Sequence, residues 1–208
     1  MNTKLQQFIE ENIIPKYASF DKAHREDHAR QVIAQSMQLV PFYGVKAEMV
    51  YAIAAYHDLG LCEDRKTHHL VSGRIVRGDE RLLEWFTPEE IEVMAQAVED
   101  HRASSDHAPR SIYGKIVAEA DRLIDAETII RRTVQYGLKH YPELDREGHI
   151  RRTMAHLDEK YAEGGYLKLW IPESPNAERL RMFQALLKKR EEVRKIVEEI
   201  YERERNTL

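Results

Sequence analysis

One short stretch of this sequence places a histidine and an aspartate side by side at the end of an apolar run. Residues 52–60 read Ala-Ile-Ala-Ala-Tyr-His-Asp-Leu-Gly, so His57 and Asp58 follow small and apolar side chains. Because burial of both polar groups without partners is costly, they require hydrogen-bond or charge partners, or a metal ion. Consecutive helical residues point about 100° apart, but Gly60 lets the last turn unwind, so both side chains can converge on one ion.

Three further residues with metal-binding side chains lie at the ends of predicted helices, namely His28, His101 and Asp121. Histidines combined with carboxylates form a nitrogen and oxygen ligand set that suits Mn, Fe, Co, Ni or Zn, or Mg where water completes the coordination. Cys62 is the only cysteine, which excludes a zinc site built from thiolates. These five positions are therefore candidates for convergence at one site, whose donor atoms suit a divalent metal ion.

The elements that must position these residues are helices almost throughout. Apolar residues recur at helical spacing, and Thr87 followed by Pro88 and two glutamates is a strong helix start. The helix over residues 47–56 is apolar nearly all round, which predicts a central position. We predict an all-α bundle with helices over residues 5–14, 27–40, 47–56, 68–76, 87–101, 111–123, 128–138, 146–161 and, as one long C-terminal helix, 176–203.

Length and composition favour one domain over residues 1–208, because 208 residues of which 42% are hydrophobic can bury a full core. A formal charge of -4 gives no general attraction for nucleic acid, so a nucleic-acid partner is not expected. No apolar run approaches the roughly 20 residues that span a bilayer, and the N-terminus lacks a signal-peptide core. With one cysteine, a cytoplasmic location is expected.

Three ordered motifs resemble those of the HD-domain metal-dependent phosphohydrolases, which carry a histidine, then a His-Asp pair, then a distant aspartate. The matching segments are residues 24–32, 56–60 and 118–123. By this resemblance, His28, His57, Asp58 and Asp121 bind a divalent metal ion. The similarity covers about residues 20–130, and the remaining helices, residues 131–208, resemble the extension of a bacterial subgroup of small HD hydrolases. For His28 and Asp121, the alternative is a buried hydrogen bond between a histidine and an aspartate.

The resemblance implies an enzyme that hydrolyses a phosphate ester of a small phosphorylated metabolite or nucleotide through a metal-activated water. A non-catalytic HD domain that senses a nucleotide or metal is the alternative. Leu61 stands where HD enzymes that cleave cyclic dinucleotides usually carry lysine, which disfavours that subgroup. The mixed apolar and charged pattern of residues 176–203 also suits pairing with a second copy of the chain.

Three residues are predicted to act on the substrate rather than to hold metal. The cations closest to the motif ends, which can stabilise the negative charge that develops on phosphate, are Lys66, Arg102 and Lys115. Lys66 and Arg102 are favoured because both follow loop or helix ends. His101 ends a segment, residues 97–101, that resembles a helix end of the same bacterial subgroup, where a further histidine faces the pocket. We expect His101 to orient substrate or protonate the leaving group. A surface histidine is the alternative for His101. His24 is either a group that supports the site or a solvated side chain.

Overall fold

The computed structural model describes residues 1–20, 26–105 and 107–207, and these residues form helices and connecting turns with no strand. The all-α prediction is confirmed. The helices are α1 (Thr3–Asn12), α2 (Glu26–Leu39), α3 (Ala47–Tyr56), α4 (His68–Gly78), α5 (Pro88–Glu99), α6 (Ile112–Ala120), α7 (Ala126–His140), α8 (Arg146–Tyr161), α9 (Asn176–Lys188) and α10 (Arg190–Arg205). His24 lies outside the described residues, so its predicted role stays a prediction.

The chain divides into two compact units. The first comprises Met1–Arg122 and Trp170–Ser174, and the second comprises Leu123–Leu169 and the described residues from Pro175 onward. A single domain over residues 1–208 stays a prediction. None of the described helices combines the length and the apolar character that a membrane span requires.

Helix α3 lies in the core of the first unit, as its sequence predicts. Every residue from Met49 to Tyr56 is buried, and the helix contacts α1, α2, α5 and α6. A helix that is apolar all round gains from burial on every face, whereas an amphipathic helix buries only one stripe. The C-terminal end of α3, which leads directly into His57 and Asp58, is therefore deep inside the first unit.

Helix α5 begins where the sequence predicts. The Thr87 hydroxyl accepts a hydrogen bond from the Glu90 amide at 3.3 Å, and the Glu90 carboxylate accepts one from the Thr87 amide at 3.0 Å. This capping box satisfies two backbone donors that a helix start leaves unpaired. At its other end, α5 stops at Glu99, so that His101 lies just beyond the helix rather than within it.

The second unit contains α7 to α10, and its last helical segment is divided, contrary to the prediction of one helix over residues 176–203. Helix α9 ends at Lys188 and α10 begins at Arg190, because Lys189 has a ψ of 70°, outside the helical range. Helices α9 and α10 contact each other, and both contact α8. The apolar pattern of residues 176–203 continues across this break and does not indicate it.

Candidate metal centre

Six side chains with metal-binding donor atoms meet in the first unit, each at or near the end of a helix. They are His28 in the first turn of α2, His57 and Asp58 directly after α3, His68 at the first residue of α4, His101 just after α5, and Asp121 directly after α6. Five of the six are less than 14% exposed, and Asp121 is 21% exposed. The cluster is thus drawn from five separate helices.

The Asp58 carboxylate lies between two sets of histidines. Its Oδ2 atom is 3.3 Å from His57 Nε2 and 3.5 Å from His28 Nε2. Its Oδ1 atom is 3.3 Å from His68 Nε2 and 3.3 Å from His101 Nε2. The two oxygens of one carboxylate therefore face two different pairs of imidazole nitrogens.

Asp121 completes one of these sets. Its Oδ1 atom is 3.2 Å from His28 Nε2 and 3.8 Å from His57 Nε2. We call His28, His57, Asp121 and Oδ2 of Asp58 the first ligand group. Oδ1 of Asp58, His68 and His101 form the second ligand group. The two groups share one residue, Asp58, and each offers at least three donor atoms.

Three of the histidines are oriented by backbone carbonyl groups. The Nδ1 atom lies 2.8 Å from the Ala54 carbonyl oxygen for His57, 2.7 Å from that of Arg65 for His68, and 2.6 Å from that of Val98 for His101. A carbonyl can only accept, so each Nδ1 carries the proton and each Nε2 has a free lone pair when the ring is neutral. This arrangement is the one that metal-binding histidines require, with the second nitrogen held by a hydrogen bond.

Two short distances between imidazole nitrogens give a second indication that the site suits a positive charge. His57 Nε2 is 3.2 Å from His28 Nε2, and His68 Nε2 is 3.2 Å from His101 Nε2. Two neutral acceptor nitrogens at that distance repel each other unless a proton or a cation lies between them. Both ligand groups are therefore chemically suited to a positive ion.

Without an ion, protons supply part of this positive charge. Burial lowers the pKa of His28, but hydrogen bonds to Asp121 and Asp58 outweigh burial and raise that pKa to about 9. Burial would raise the pKa of Asp58 and of Asp121, yet the surrounding histidines hold both carboxyl pKa values well below their usual range. Burial and the neighbouring His101 lower the pKa of His68 to about 4. These directions favour ionised carboxylates and a neutral His68 ring at physiological pH.

A buried tyrosine holds the turn that carries His57 and Asp58. The Tyr17 hydroxyl donates a hydrogen bond to the Ala55 carbonyl at 2.9 Å and accepts one from the Asp58 amide at 3.3 Å. Because α3 ends at Tyr56, these two backbone groups need partners from outside the helix. The phenol supplies both, so Asp58 can leave the helical path without an unsatisfied buried amide.

Gly60 has a different role from the one its position in the sequence predicts. A Cβ atom at Gly60 would lie 2.0 Å from the His68 carbonyl oxygen, and the Gly60 amide donates to the Ser72 hydroxyl at 2.8 Å. None of the described non-glycine residues, and among described glycines only Gly164, has a positive φ. The missing side chain at Gly60 thus matters because it lets the start of α4 approach, which brings His68 into the cluster.

A buried arginine connects the last two helix ends. Arg122 is 5% exposed, and its Nη1 atom donates to the His101 carbonyl at 2.9 Å and to the Ala118 carbonyl at 2.8 Å. Ala118 belongs to the last turn of α6, so Arg122 joins the end of α6 to the residue that follows α5. Arg122 therefore helps to fix the position of His101 relative to that of Asp121.

The structure brings His28, His57, Asp58 and Asp121 together, as predicted. It also places His101 Nε2 in the second ligand group, although the sequence predicted a substrate-facing role for this residue. Arg102 donates from Nη1 to the Lys66 carbonyl at 2.7 Å, and Lys66 is exposed, with its backbone rather than its ammonium group making this contact. The roles predicted for Lys66 and Arg102 stay predictions.

Sequence reasoning missed His68 as a member of the cluster. His68 is the first residue of α4, a position at a helix end like those of the recognised candidates. The signal was therefore available in its helix-end position, but the adjacent His69 offers the same side chain one residue later. The structure shows that the His68 ring is the one that faces Asp58, with its Nε2 atom 3.3 Å from Oδ1.

Comparison with known proteins gives one match. The family model described as HD domain matches residues 25–125, which includes all six residues of the cluster. Neither a curated protein nor a solved structure matches the chain. The match agrees with the motifs at residues 24–32, 56–60 and 118–123, and it leaves the bacterial subgroup undetermined.

Proposed function

We propose that this chain, whose residues 25–125 form an HD domain, is a metal-dependent phosphohydrolase that acts on a small phosphorylated metabolite or nucleotide. The single observation that carries this proposal is the position of Asp58, whose two oxygens belong to two different ligand groups, each completed by histidine nitrogens. The proposal places the enzyme in the cytoplasm, because its one cysteine, Cys62, is free and exposed, which suits a reducing compartment.

The donor set supports two divalent ions, one in each ligand group. The first group offers two imidazole nitrogens and two carboxylate oxygens, and the second offers two nitrogens and one oxygen. Mixed nitrogen and oxygen donors suit Mn, Fe, Co, Ni or Zn. Neither group completes an octahedron, so each leaves coordination positions for water and substrate. When bound, such ions act as Lewis acids that activate water and polarise a phosphoryl group.

Some residues of the chain would then hold the metal ions, and others would position those ligands. Asp58 is shared between the groups and keeps both in a fixed relation, while Asp121 adds a second negative charge to the first group. Tyr17 and Arg122 hold the backbone next to these residues. We propose that His101 binds metal through Nε2 rather than acting on the leaving group.

Elemental analysis of the purified chain, followed by a screen for phosphate release from nucleotides and sugar phosphates with added Mn, tests this function. We expect bound transition metal, phosphate release, and loss of at least about 100-fold in rate for Asp58→Asn, because Asp58 serves both ligand groups. Glu84→Gln is the matched control, since it removes an exposed carboxylate of the same unit. Metal binding without release from any phosphate ester would favour the sensor alternative instead.

A further inference from the structure

An open cavity of about 710 Å³ in the first unit adjoins the second ligand group along the chain. Its lining includes His69, which follows the ligand His68, and Arg102, which follows His101. The ring centroids of His68 and His69 are 5.6 Å apart, so one wall of this cavity lies next to a member of the second ligand group. This distance is short enough for one substrate molecule to contact both.

The lining of the cavity is rich in cationic and hydrogen-bonding groups. It includes the side chains of His69, Arg102, His107 and Arg110, together with the hydroxyl-bearing Ser104 and Ser105. Glu99 is the only carboxylate among the described lining residues. The cavity therefore has the composition of an anion site rather than that of an apolar pocket.

The charge of Glu99 is already balanced. Arg110 Nη2 donates to Glu99 Oε2 at 2.7 Å, and Arg77 Nη1 donates to the other oxygen, Oε1, at 2.5 Å. Arg110 also pairs with the buried Asp100, whose Oδ1 atom lies 2.8 Å from its Nη2 atom. These ion pairs neutralise Arg110 as well as Glu99, so neither determines the net charge of the cavity.

Arg102 differs from these arginines, because no carboxylate within the described residues pairs with it. Within the residues that the structure describes, its one hydrogen bond runs from Nη1 to the Lys66 carbonyl, at 2.7 Å. A carbonyl oxygen orients the guanidinium without neutralising it, and four of the five N–H donors remain for a ligand. Arg102 is thus a fixed cation with free donors on the wall of the cavity.

His69 adds an unusual buried atom to the same wall. Its Nδ1 atom is inaccessible to solvent and has no hydrogen-bond partner among the residues that the structure describes. A buried polar atom without a partner is costly and rare in folded proteins. Because solvent does not reach this atom, a ligand would contact the part of the half-buried ring that lines the cavity, and the neighbouring Arg102 guanidinium favours a ligand with negative charge.

We propose that this cavity binds a phosphate group of the substrate other than the one that is hydrolysed. The inference rests on the proposed function and narrows it, because the substrate must then carry at least two phosphate groups, either joined as an anhydride or placed at separate positions. The reacting phosphate lies at the ligand cluster, and the second contacts Arg102 and His69. Phosphate oxygens match the forked geometry of a guanidinium with free donors.

Binding of inorganic phosphate to the full chain gives the first test, with the metal-loaded protein and the metal-stripped protein titrated side by side. We expect the metal-stripped protein to retain one phosphate site, and Arg102→Gln to weaken it about tenfold or more. Arg74→Gln is the matched control, because Arg74 is an exposed arginine of the same unit that pairs with Glu63. Phosphate binding that disappears with the metal, or that survives Arg102→Gln unchanged, overturns the proposal.

Steady-state rates give the second test, on metal-loaded protein with substrates that carry one or two phosphate groups. We expect Arg102→Gln and His69→Asn to raise KM about tenfold for a substrate with two phosphates, and to leave KM for p-nitrophenyl phosphate within about twofold. An equal change for both substrates overturns the proposal. If wild-type protein releases no phosphate at all, the proposed function fails, whereas retained phosphate binding through Arg102 would still identify the cavity as an anion site.

Discussion

Tyr17 and Asp58 are joined by a buried hydrogen bond in which the Asp58 amide donates to the Tyr17 hydroxyl at 3.3 Å. The same hydroxyl donates to the Ala55 carbonyl at 2.9 Å. We expect Tyr17→Phe to reduce the free energy of unfolding by about 1–3 kcal/mol, because both backbone groups lose their partner in a buried position. Metal affinity, measured by competition with a chelator, should fall as well, since the turn that carries Asp58 loses its support.

Tyr51→Phe is the control for this prediction. Tyr51, which lies in α3, is likewise a core tyrosine, but its hydroxyl makes only a 3.4 Å contact with Glu10 and no hydrogen bond to the turn after α3. We expect its metal affinity to equal that of the wild-type protein. Equal metal affinities for Tyr17→Phe and Tyr51→Phe would contradict a positioning role of Tyr17.

The number of bound ions should depend on which ligand group is altered. With two ions in the wild-type protein, His68→Ala should bind one ion, because it changes only the second ligand group. Asp58→Asn should bind neither ion tightly, because its carboxylate serves both groups. Elemental analysis after extensive dialysis, with protein concentration from amino-acid analysis, measures these ratios.

His140→Ala is the control for ion counting, since it removes an exposed imidazole far along the chain in α7. It should retain the full metal content. A wild-type content of one ion, unaffected by His68→Ala, would show that only the first ligand group binds metal.

Substitution of Gly60 tests the close approach of α4. Gly60→Ala would place a Cβ atom 2.0 Å from the His68 carbonyl oxygen, so the start of α4 must shift. We expect a loss of about 1–3 kcal/mol in the free energy of unfolding, as for other overpacked positions. We also expect weaker binding of the second ion, because His68 moves with the helix start. Chemical denaturation and metal titration measure the two effects.

Gly78→Ala provides the comparison within the same helix. Gly78 is the last residue of α4, and nothing lies within 4 Å of a Cβ atom built there. Alanine loses less backbone freedom than glycine on folding, so this variant should be at least as stable as the wild-type protein. If the two alanine variants have the same metal affinity, the approach at Gly60 does not control the second ligand group.

The pKa of His28 predicts how pH acts on the metal-free protein. Although burial lowers it, hydrogen bonds to Asp121 and Asp58 raise this pKa to about 9, above the usual value of 6.5. A raised histidine pKa stabilises the fold fully below pH 6.5, and the contribution is lost as the pH rises through 9. We expect the chelator-treated protein to lose at most about 3 kcal/mol of unfolding free energy over this range.

Metal binding should reverse that trend. The proton on His28 must leave before the ring can bind an ion, so metal affinity should increase as pH rises toward 9. His68 does not interfere within this window, because its pKa is lowered, to about 4. Unfolding measured at pH 6.5 and pH 9, with and without metal, checks both directions. A His28→Gln variant should lose the part of this pH dependence that comes from His28. Although burial lowers the pKa of His101, its hydrogen bond to Asp58 raises that pKa, so His101 keeps its own contribution.

The sequence was sufficient to predict the helical architecture and four converging residues. Apolar periodicity and the Thr87 cap located α5 closely, and the spacing of His28, His57, Asp58 and Asp121 predicted convergence because each lies at a helix end. Such signals are local, since a cap or an apolar stripe depends on residues within a few turns of one another.

The features that sequence reasoning missed depend on contacts between distant residues. His68 joins the cluster because Gly60 admits the start of α4, and neither residue alone indicates that approach. Tyr17 supports Asp58 from 41 residues away. The division of the last helix at Lys189 has no proline or glycine to mark it, and both of the resulting helices contact α8.

The guanidinium of Arg122 has a further consequence for metal loading. It joins the His101 carbonyl to the last turn of α6, directly before Asp121, so one buried side chain fixes a member of each ligand group. Together with the shared Asp58, this makes uptake at the two groups thermodynamically linked. Whatever factor the first ion imposes on the affinity for the second, the second imposes on the first. Titration of the metal-free protein with metal should therefore give a binding isotherm with positive or negative cooperativity, rather than that of two independent sites.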